Sequence, residues 1–160
     1  MIKNQKTIFE NLKGVWSFNR EIIDLNSNEI NKATGKAIFT QINANKLHYL
    51  EEGQLLIVRN TVKLNFKREY LYELKEEQIH IILNDGLTKG DLFQKLFLSE
   101  NNNLLGTEHM CNLDSHCGKY HFTNKHEFYT EFTIVGPKVN QIIKTIFSKS
   151  NNQPDENNEN

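Results

Sequence analysis

The chain has 160 residues, of which 38% are hydrophobic, and this combination is typical of one globular domain with a single core. Its 19 basic and 20 acidic residues give a net charge of −1, so the molecule has no overall electrostatic attraction for nucleic acid or for an anionic membrane. The sequence shows no secretory signal, no apolar stretch of membrane-spanning length and only 2 cysteines, so we expect a cytoplasmic protein without a nucleic-acid or membrane partner.

Helical periodicity is confined to the start of the chain. Ile8, Phe9 and Leu12 have the spacing of one face of a short helix, so we predict a helical turn within residues 1–13. From Gly14 onward, apolar and polar residues alternate in short segments separated by Asn, Gly and Pro, as in strands and turns. The predicted strands are 14–24, 33–42, 47–58, 64–74, 78–83, 91–98, 118–123, 127–135 and 139–147.

This succession of half-apolar strands indicates the fold class. About nine or ten strands at short spacing predict an all-β domain over residues 14–149. Short connections favour a closed antiparallel up-and-down barrel, because closure leaves no exposed strand edge. A barrel of this size has room for one small ligand. Residues 150–160 are polar and rich in Asn, and we expect them to form a disordered tail.

Two arginines stand out, because the chain has 16 lysines and only 3 arginines. Arg20 shares a predicted strand face with Trp16 and Phe18, and Arg68 shares one with Tyr70. A guanidinium can stack on an aromatic ring and can form paired hydrogen bonds with a carboxylate. Two roles therefore stay open: each arginine contacts a bound acidic or carbonyl-bearing ligand, or each pairs with a strand carboxylate and closes the core.

The adjacent carboxylates Glu51 and Glu52 bear on that choice. Neighbouring residues of a strand point to opposite faces, so at most one of the two points inward. They are therefore not a close acid–base pair. The inward one is a natural partner for Arg20 or Arg68, because an unpaired buried carboxylate is costly.

Residues 109–121 hold three of the six histidines, both cysteines and an aspartate. Such a density of ligand atoms invites a zinc or copper site, but the segment has neither a Cys-x-x-Cys pair nor a helical His-x-x-x-His pair, so we assign no metal ligand. A cysteine nucleophile with a nearby histidine is a further alternative. We favour buried thiols beside hydrogen-bonded histidine and tyrosine side chains.

A series of short motifs runs through residues 9–149: Gly14-x-Trp16 followed by Arg20, Gly35-x-Ala37-x-Phe39, Tyr49-Leu50-Glu51-Glu52-Gly53, Arg68-Glu69-Tyr70, Asp85-Gly86, His109-x-Cys111-x-x-Asp114, Gly118-x-Tyr120-x-Phe122 and Gly136-Pro137-Lys138. In order and spacing this series resembles an uncharacterised family of small calycin-like barrels, domain of unknown function 6314. One departure is His116, where the family pattern more often has Tyr.

The opening Gly14-x-Trp16 is also similar to the lipocalin signature, in which a basic residue packs over the tryptophan and closes the barrel. Lys144 or Lys149 of the last predicted strand is the candidate for that role. The resemblance implies a lipocalin-like barrel. It implies no particular activity, because the family has no assigned function and one fold serves many functions.

We therefore expect a small-molecule binder rather than an enzyme, with no catalytic residue, metal or cofactor assigned. The expected ligand-binding residues are Arg20, Arg68, Tyr70, Trp16, Tyr120, His109 and Glu51. The expected apolar walls are Trp16, Phe18, Phe39, Phe66, Tyr70, Phe128 and Phe132. The alternatives are a haem- or metal-dependent enzyme that uses a barrel histidine, and a homodimer formed through an exposed aromatic strand face.

Overall fold

In the computed structural model, which describes residues 4–99, 103–111 and 113–150, one short helix precedes eleven β-strands. The helix is α1 (Gln5–Asn11), and the strands are β1 (Gly14–Asp24), β2 (Ile30–Asn43), β3 (Lys46–Ile57), β4 (Val62–Lys75), β5 (Gln78–Leu83), β6 (Leu92–Leu98), β7 (Asn103–Gly106), β8 (His109–Cys111), β9 (Asp114–Asn124), β10 (Glu127–Val135) and β11 (Asn140–Lys149). The expected all-β architecture with a short N-terminal helix is confirmed.

The strands form one antiparallel sheet that closes on itself. Each strand from β1 to β7 pairs with its neighbour in the chain, and β7 then pairs with β9. The circle is completed by β9 with β10, β10 with β11, and β11 with β1. Since β8 pairs with the first residues of β9, β7 and β8 together fill one interrupted position. The result is the predicted up-and-down barrel, with ten strand positions.

Residues 103–111, where β7 and β8 lie, were not predicted to form strands. These strands have four and three residues, which is too short for an alternating pattern to be recognised. The Asn-rich stretch before them also has the composition of a turn. β7 pairs with β6 on one side and with β9 on the other, and β8 forms a short hairpin with the first residues of β9.

The helix closes one end of the barrel. Asn4 caps α1, because its side-chain oxygen accepts a hydrogen bond from a first-turn backbone N–H at 2.8 Å. The helix buries Ile8, Phe9 and Leu12 in the core of the protein. Trp16 of β1 packs above them, and its Nε1 donates a hydrogen bond to Leu12 O at 2.8 Å. We call this the closed end and the opposite end of the barrel the open end.

Lys149 of β11 completes the closed end. Its Nζ lies 5.4 Å from the centre of the Trp16 ring and donates a hydrogen bond to Asn11 O at 3.0 Å. The other candidate, Lys144, is exposed on the outer face of the same strand. The expected basic residue over the tryptophan is therefore Lys149.

The half of the barrel next to the closed end is solidly packed. Phe128 and Phe147 stack with ring centres 4.4 Å apart. Phe18 lies across Gly35 and Gly53, which face each other on β2 and β3. A Cβ at these two positions would approach Phe18 Cζ to 2.8 and 3.0 Å, so glycine is needed there for the aromatic ring to fit.

Within the described residues, no helix is long and apolar enough to cross a membrane. The tail expected to be disordered, residues 150–160, lies outside the described residues apart from Ser150, so this expectation stays a prediction.

Candidate functional site

The other half of the barrel contains a cavity of about 260 Å³. Its apolar walls include Ile22, Phe132, Ile134 and Ile143 from the strands β1, β10 and β11. Arg68 also lines the cavity while 48% of its side chain is exposed, so the cavity meets solvent at the open end. The barrel thus holds one accessible internal space with mainly apolar walls.

An ion pair between Arg20 and Glu51 forms the floor of the cavity. Arg20 donates from both terminal nitrogens to the two oxygens of Glu51, at 2.6 and 2.9 Å. Its Nε donates to Thr145 Oγ1 at 2.9 Å, and Tyr49 OH donates to Glu51 Oε1 at 2.6 Å. Burial lowers the pKa of Arg20, but the hydrogen bond and charge of Glu51 outweigh it, so the net pKa is raised. The pair is charged and internally satisfied.

Four tyrosines surround this floor in neutral form. Burial raises the pKa of Tyr49 and Tyr72 well above the usual value, and the negative charge of Glu51 adds to the effect at Tyr49. Burial also raises the pKa of Tyr70 and Tyr120. At neutral pH these side chains supply hydroxyl dipoles and ring faces, and no negative charge.

Arg68 lies at the rim of the cavity. Its Nε is 3.3 Å from Asp85 Oδ2, and that same oxygen accepts a hydrogen bond from Glu69 N at 2.7 Å. The guanidinium carbon is 5.5 Å from the centre of the Tyr70 ring. Arg68 is therefore held by a ring face and by one shared carboxylate oxygen, with much less of its charge neutralised than that of Arg20.

Phe93 reaches into the cavity because β6 has a bulge. Ile81 and Ile82 of β5 pair with Gln94 and Leu92, so Phe93 is an extra residue without a partner. The Phe93 ring stacks on the Tyr70 ring at 5.7 Å and 8°, and on the Phe132 ring at 5.8 Å and 18°. Sequence reasoning missed Phe93, since simple alternation does not indicate a bulge.

His116 also lines the cavity. Burial lowers its pKa, and electrostatic interactions with His109 and Arg68 lower the pKa further against an opposing effect of Asp114. The imidazole is therefore neutral at pH 7. His109, its partner across β8 and β9, packs against the edge of Phe93 with ring centres 5.3 Å apart and does not line the cavity. In the sequence, His116 was noted only because the family pattern more often has Tyr at its position.

The structure brings together five of the seven expected ligand-binding residues. Those lining the cavity are Arg20, Glu51, Arg68, Tyr70 and Tyr120. Trp16 lies at the closed end and His109 behind Phe93. Of the expected apolar walls, Tyr70, Phe128 and Phe132 line the cavity, whereas Phe18, Phe39 and Phe66 do not. Strand alternation predicts which side chains point inward, but it does not indicate which half of the barrel they fill. Whether these residues contact a ligand stays a prediction.

The cysteines depart from expectation. Cys111 and Cys117 are exposed, so the prediction of buried thiols was wrong. Both lie on edges or outer faces of β8 and β9, beyond the packed interior. In the part of the chain that the structure describes, no three His, Cys, Asp or Glu side chains are placed to hold one metal ion. The expectations on metal and haem stay untested.

An aromatic pair lies on the outer face of the barrel. His121 and Tyr129 stack with ring centres 4.7 Å apart, and Ile146 is the partner of Tyr129 across β10 and β11. Tyr129 and Ile146 are both exposed. This is the kind of face that the homodimer alternative needs, and self-association through it stays a prediction.

Comparisons with known proteins fit this architecture. The sequence model of a family of unknown function, DUF6314, matches residues 12–149. No curated protein matches the sequence. An S-type phycobiliprotein lyase from Guillardia theta superposes with a TM-score of 0.72 at 10% identity, over 94% of this chain and 95% of that chain.

Two further structures are similar in fold. A protein of unknown function from the DUF3598 family of Nostoc punctiforme has a TM-score of 0.59 at 6% identity, over 88% of this chain and 48% of that chain. The protein EF1p2_mFAP2b, solved bound to DFHBI, has a TM-score of 0.51 at 9% identity, over 91% of this chain and 99% of that chain. At such low identity these likenesses establish the fold alone.

Proposed function

The chain belongs to DUF6314, a family of unknown function, and we propose that it binds one small, largely apolar molecule inside its barrel without transforming it. The observation that carries this proposal is the cavity of about 260 Å³ in a barrel whose other half is solidly packed. Ligand pockets commonly enclose about 300–1,000 Å³, and an apolar cavity of about 150 Å³ binds benzene. The ligand that fits has one or two rings, or a short chain of similar volume.

The chemistry of the floor supports binding rather than acid–base catalysis. Both oxygens of Glu51 are engaged by Arg20, and one of them also accepts from Tyr49. A carboxylate held in this way is a poor general base, because taking up a proton would break the ion pair. The floor therefore acts as a neutral platform, and the apolar part of a ligand is most stable above it, between the aromatic and aliphatic walls.

The similar structures support this proposal only at the level of the fold. One of them is solved with the small molecule DFHBI, so a barrel of this fold binds a compound of that size. Another carries the name of a lyase, so the same fold also serves an enzyme. The choice between a binding protein and an enzyme for this chain therefore rests on the residues of its own cavity.

The test uses N-phenyl-1-naphthylamine, a neutral dye whose fluorescence rises in apolar surroundings. We expect saturable binding of one dye per chain to the purified protein. Ile143→Trp fills the cavity from β11 and should weaken binding about 10-fold or more. Ile142→Trp places the same bulk on the outer face of the same strand and serves as the matched control.

Ile134→Trp, near the open end, provides a second cavity-filling variant in case Ile143→Trp does not fold, as judged by circular dichroism. Equal binding by wild-type protein and both cavity-filling variants would show that the dye lies elsewhere and would overturn the proposal. The absorbance spectrum and metal content of the same wild-type preparation test the haem- or metal-dependent alternative directly.

A further inference from the structure

The two arginines of the cavity differ in how much of their hydrogen-bonding capacity is already used. At the floor, all three guanidinium nitrogens of Arg20 donate to Glu51 or Thr145. At the rim, Arg68 makes one ion pair, with Asp85, whose shortest contact joins Nε to Oδ2 at 3.3 Å. Among the described residues, the two terminal nitrogens of Arg68 donate no hydrogen bond. They form the planar fork that matches a carboxylate.

From this difference we infer that the ligand is a small aromatic or similarly planar monocarboxylic acid, bound with its ring in the cavity and its carboxylate at Arg68. The inference rests on the proposed function and adds the chemical class and the orientation of the ligand. A carboxylate at the floor would instead face Glu51, whose charge is already paired, and would have to be desolvated without a free cation.

The charge at the rim favours a monoanion over a phosphate. Of the two arginines that line the cavity, Arg68 is the one whose terminal nitrogens donate no hydrogen bond to a described residue, whereas those of Arg20 donate to Glu51. Asp85 already contacts Arg68 at 3.3 Å, so a dianion would meet more repulsion there than a monoanion. The cavity also lacks the converging backbone N–H groups of a helix N-terminus, since the helix α1 lies at the closed end.

The ring stack beside Arg68 favours a planar ligand. The Tyr70, Phe93 and Phe132 rings are parallel to within 8° and 18° from one ring to the next, and all three line the cavity. Tyr70 also lies under Arg68, so the ring stack begins at the proposed carboxylate position. A planar ring attached to the carboxylate can therefore stack on the same set of rings, in the offset arrangement that aromatic groups prefer.

His116 gives the rim a second polar group for the same carboxylate. It lines the cavity on β9, and its environment includes Arg68, His109 and Asp114. A neutral imidazole donates one hydrogen bond, to which a carboxylate oxygen is a suitable acceptor. Arg68 thus supplies the charge, and His116 supplies a second polar group in the lining of the same cavity.

The experiment compares three probes of nearly equal shape in competition with N-phenyl-1-naphthylamine: 2-naphthoate, 2-naphthamide and 2-naphthylmethylammonium. For wild-type protein we expect 2-naphthoate to compete about 10-fold better than the amide, as for one charge-assisted paired hydrogen bond, and the ammonium to compete least. Arg68→Gln should remove the preference for the acid over the amide, with each competition constant corrected for the affinity of that variant for the dye. Arg59→Gln, which removes a positive charge from the β3–β4 turn, should keep the preference.

The outcomes separate this inference from the proposed function. If the dye binds but acid and amide compete equally, or if Arg59→Gln lowers the preference as much as Arg68→Gln, the inference is overturned and the proposed function stands. If the dye and all three probes fail to bind, the proposed function itself fails. Arg68→Lys retains the charge without the planar fork, and an intermediate preference for the acid would support paired hydrogen bonding.

Discussion

The closed and open halves of the barrel are built from the same strands with the same inward alternation, yet one is solid and the other is hollow. Toward the closed end, β1 contributes Trp16 and Phe18, which are both fully buried. Two and four residues further along the same face, it contributes Arg20 and Ile22, which line the cavity. The Arg20–Glu51 pair is the boundary between the two halves.

Glycine serves the two halves in different ways. In the closed half, Gly35 and Gly53 give Phe18 room to fill the centre. In the open half, Gly118 is paired with Phe132, and a Cβ there would lie 2.7 Å from the ring. The Phe132 ring therefore lies against the wall of the barrel and leaves the centre open. The positions of the glycines thus determine what a large inward ring does. Phe18 fills the centre of the barrel, whereas Phe132 lies against the wall and lines the cavity.

The largest expected loss of stability comes from a phenylalanine-to-alanine substitution, made once in the closed half and once in the open half. Phe18→Ala should lower the free energy of unfolding by about 3–5 kcal/mol, because it leaves a hole in a packed region that cannot collapse. Phe132→Ala should cost only about 1–2 kcal/mol, because its ring is half-buried and already borders the cavity. Urea unfolding of both variants measures the difference. Equal losses would show that the two halves are equally packed.

The next effect tests the boundary itself. Glu51→Gln should lower the free energy of unfolding by about 3 kcal/mol, because the guanidinium of Arg20, only 17% exposed, loses its counter-charge. Arg20→Met should cost a similar amount for the converse reason. The double variant Arg20→Met/Glu51→Met should be more stable than either single variant, since no charge is then left buried. Strictly additive losses in urea unfolding would contradict an internally satisfied pair.

The fold was predictable from sequence because the signals that define it are local. Alternation predicted β1 with Trp16, Phe18 and Arg20 on one face, and the structure places all three inward. The same rule predicted that at most one of Glu51 and Glu52 points inward and pairs with an arginine, and the structure shows that this residue is Glu51 and its partner Arg20. The strands β7 and β8 were not predicted, because four and three residues are too few for an alternating pattern to be recognised.

The candidate site was predictable only in part, because a cavity is a property of packing. Nothing in the sequence separates Phe39, which is buried in the closed half, from Phe132, which lines the cavity. Phe93 depends on a bulge that is defined by register with β5. The cysteines were predicted wrongly because their burial was inferred from residue type: free cysteine is commonly buried, whereas Cys111 and Cys117 are exposed.

A smaller effect tests the closed end. Lys149→Met removes the contact with the Trp16 ring and the hydrogen bond to Asn11, and should lower the free energy of unfolding by about 1 kcal/mol. Lys144→Met removes an exposed charge from the same strand and is the matched control, with no resolvable change expected. Thermal unfolding measures both. A loss for Lys144→Met as large as that for Lys149→Met would show that net charge, and not the contact with Trp16, is responsible.

The smallest expected effect is on the pH dependence of stability. It involves two histidines, His116 at the cavity and His80 on the outer face of β5. Burial and nearby positive charges hold the pKa of both below the ordinary value of 6.5, with Lys95 and Lys75 acting on His80. Just below pH 6.5, these two histidines are therefore more protonated in the unfolded chain than in the folded chain. Each histidine thus contributes stability that is complete above pH 6.5 and is lost as the pH falls through its folded pKa.

The two histidines should differ once a carboxylate is bound. His116→Gln and His80→Gln should each flatten the fall in melting temperature below pH 6.5, measured without ligand. With 2-naphthoate present, the negative charge at the rim stabilises protonated His116 and should remove its share of that fall, while the share of His80 is unchanged. If the ligand alters both shares equally, its charge is not at the open end, because a carboxylate near Arg68 interacts more strongly with His116 than with a side chain on the outer wall.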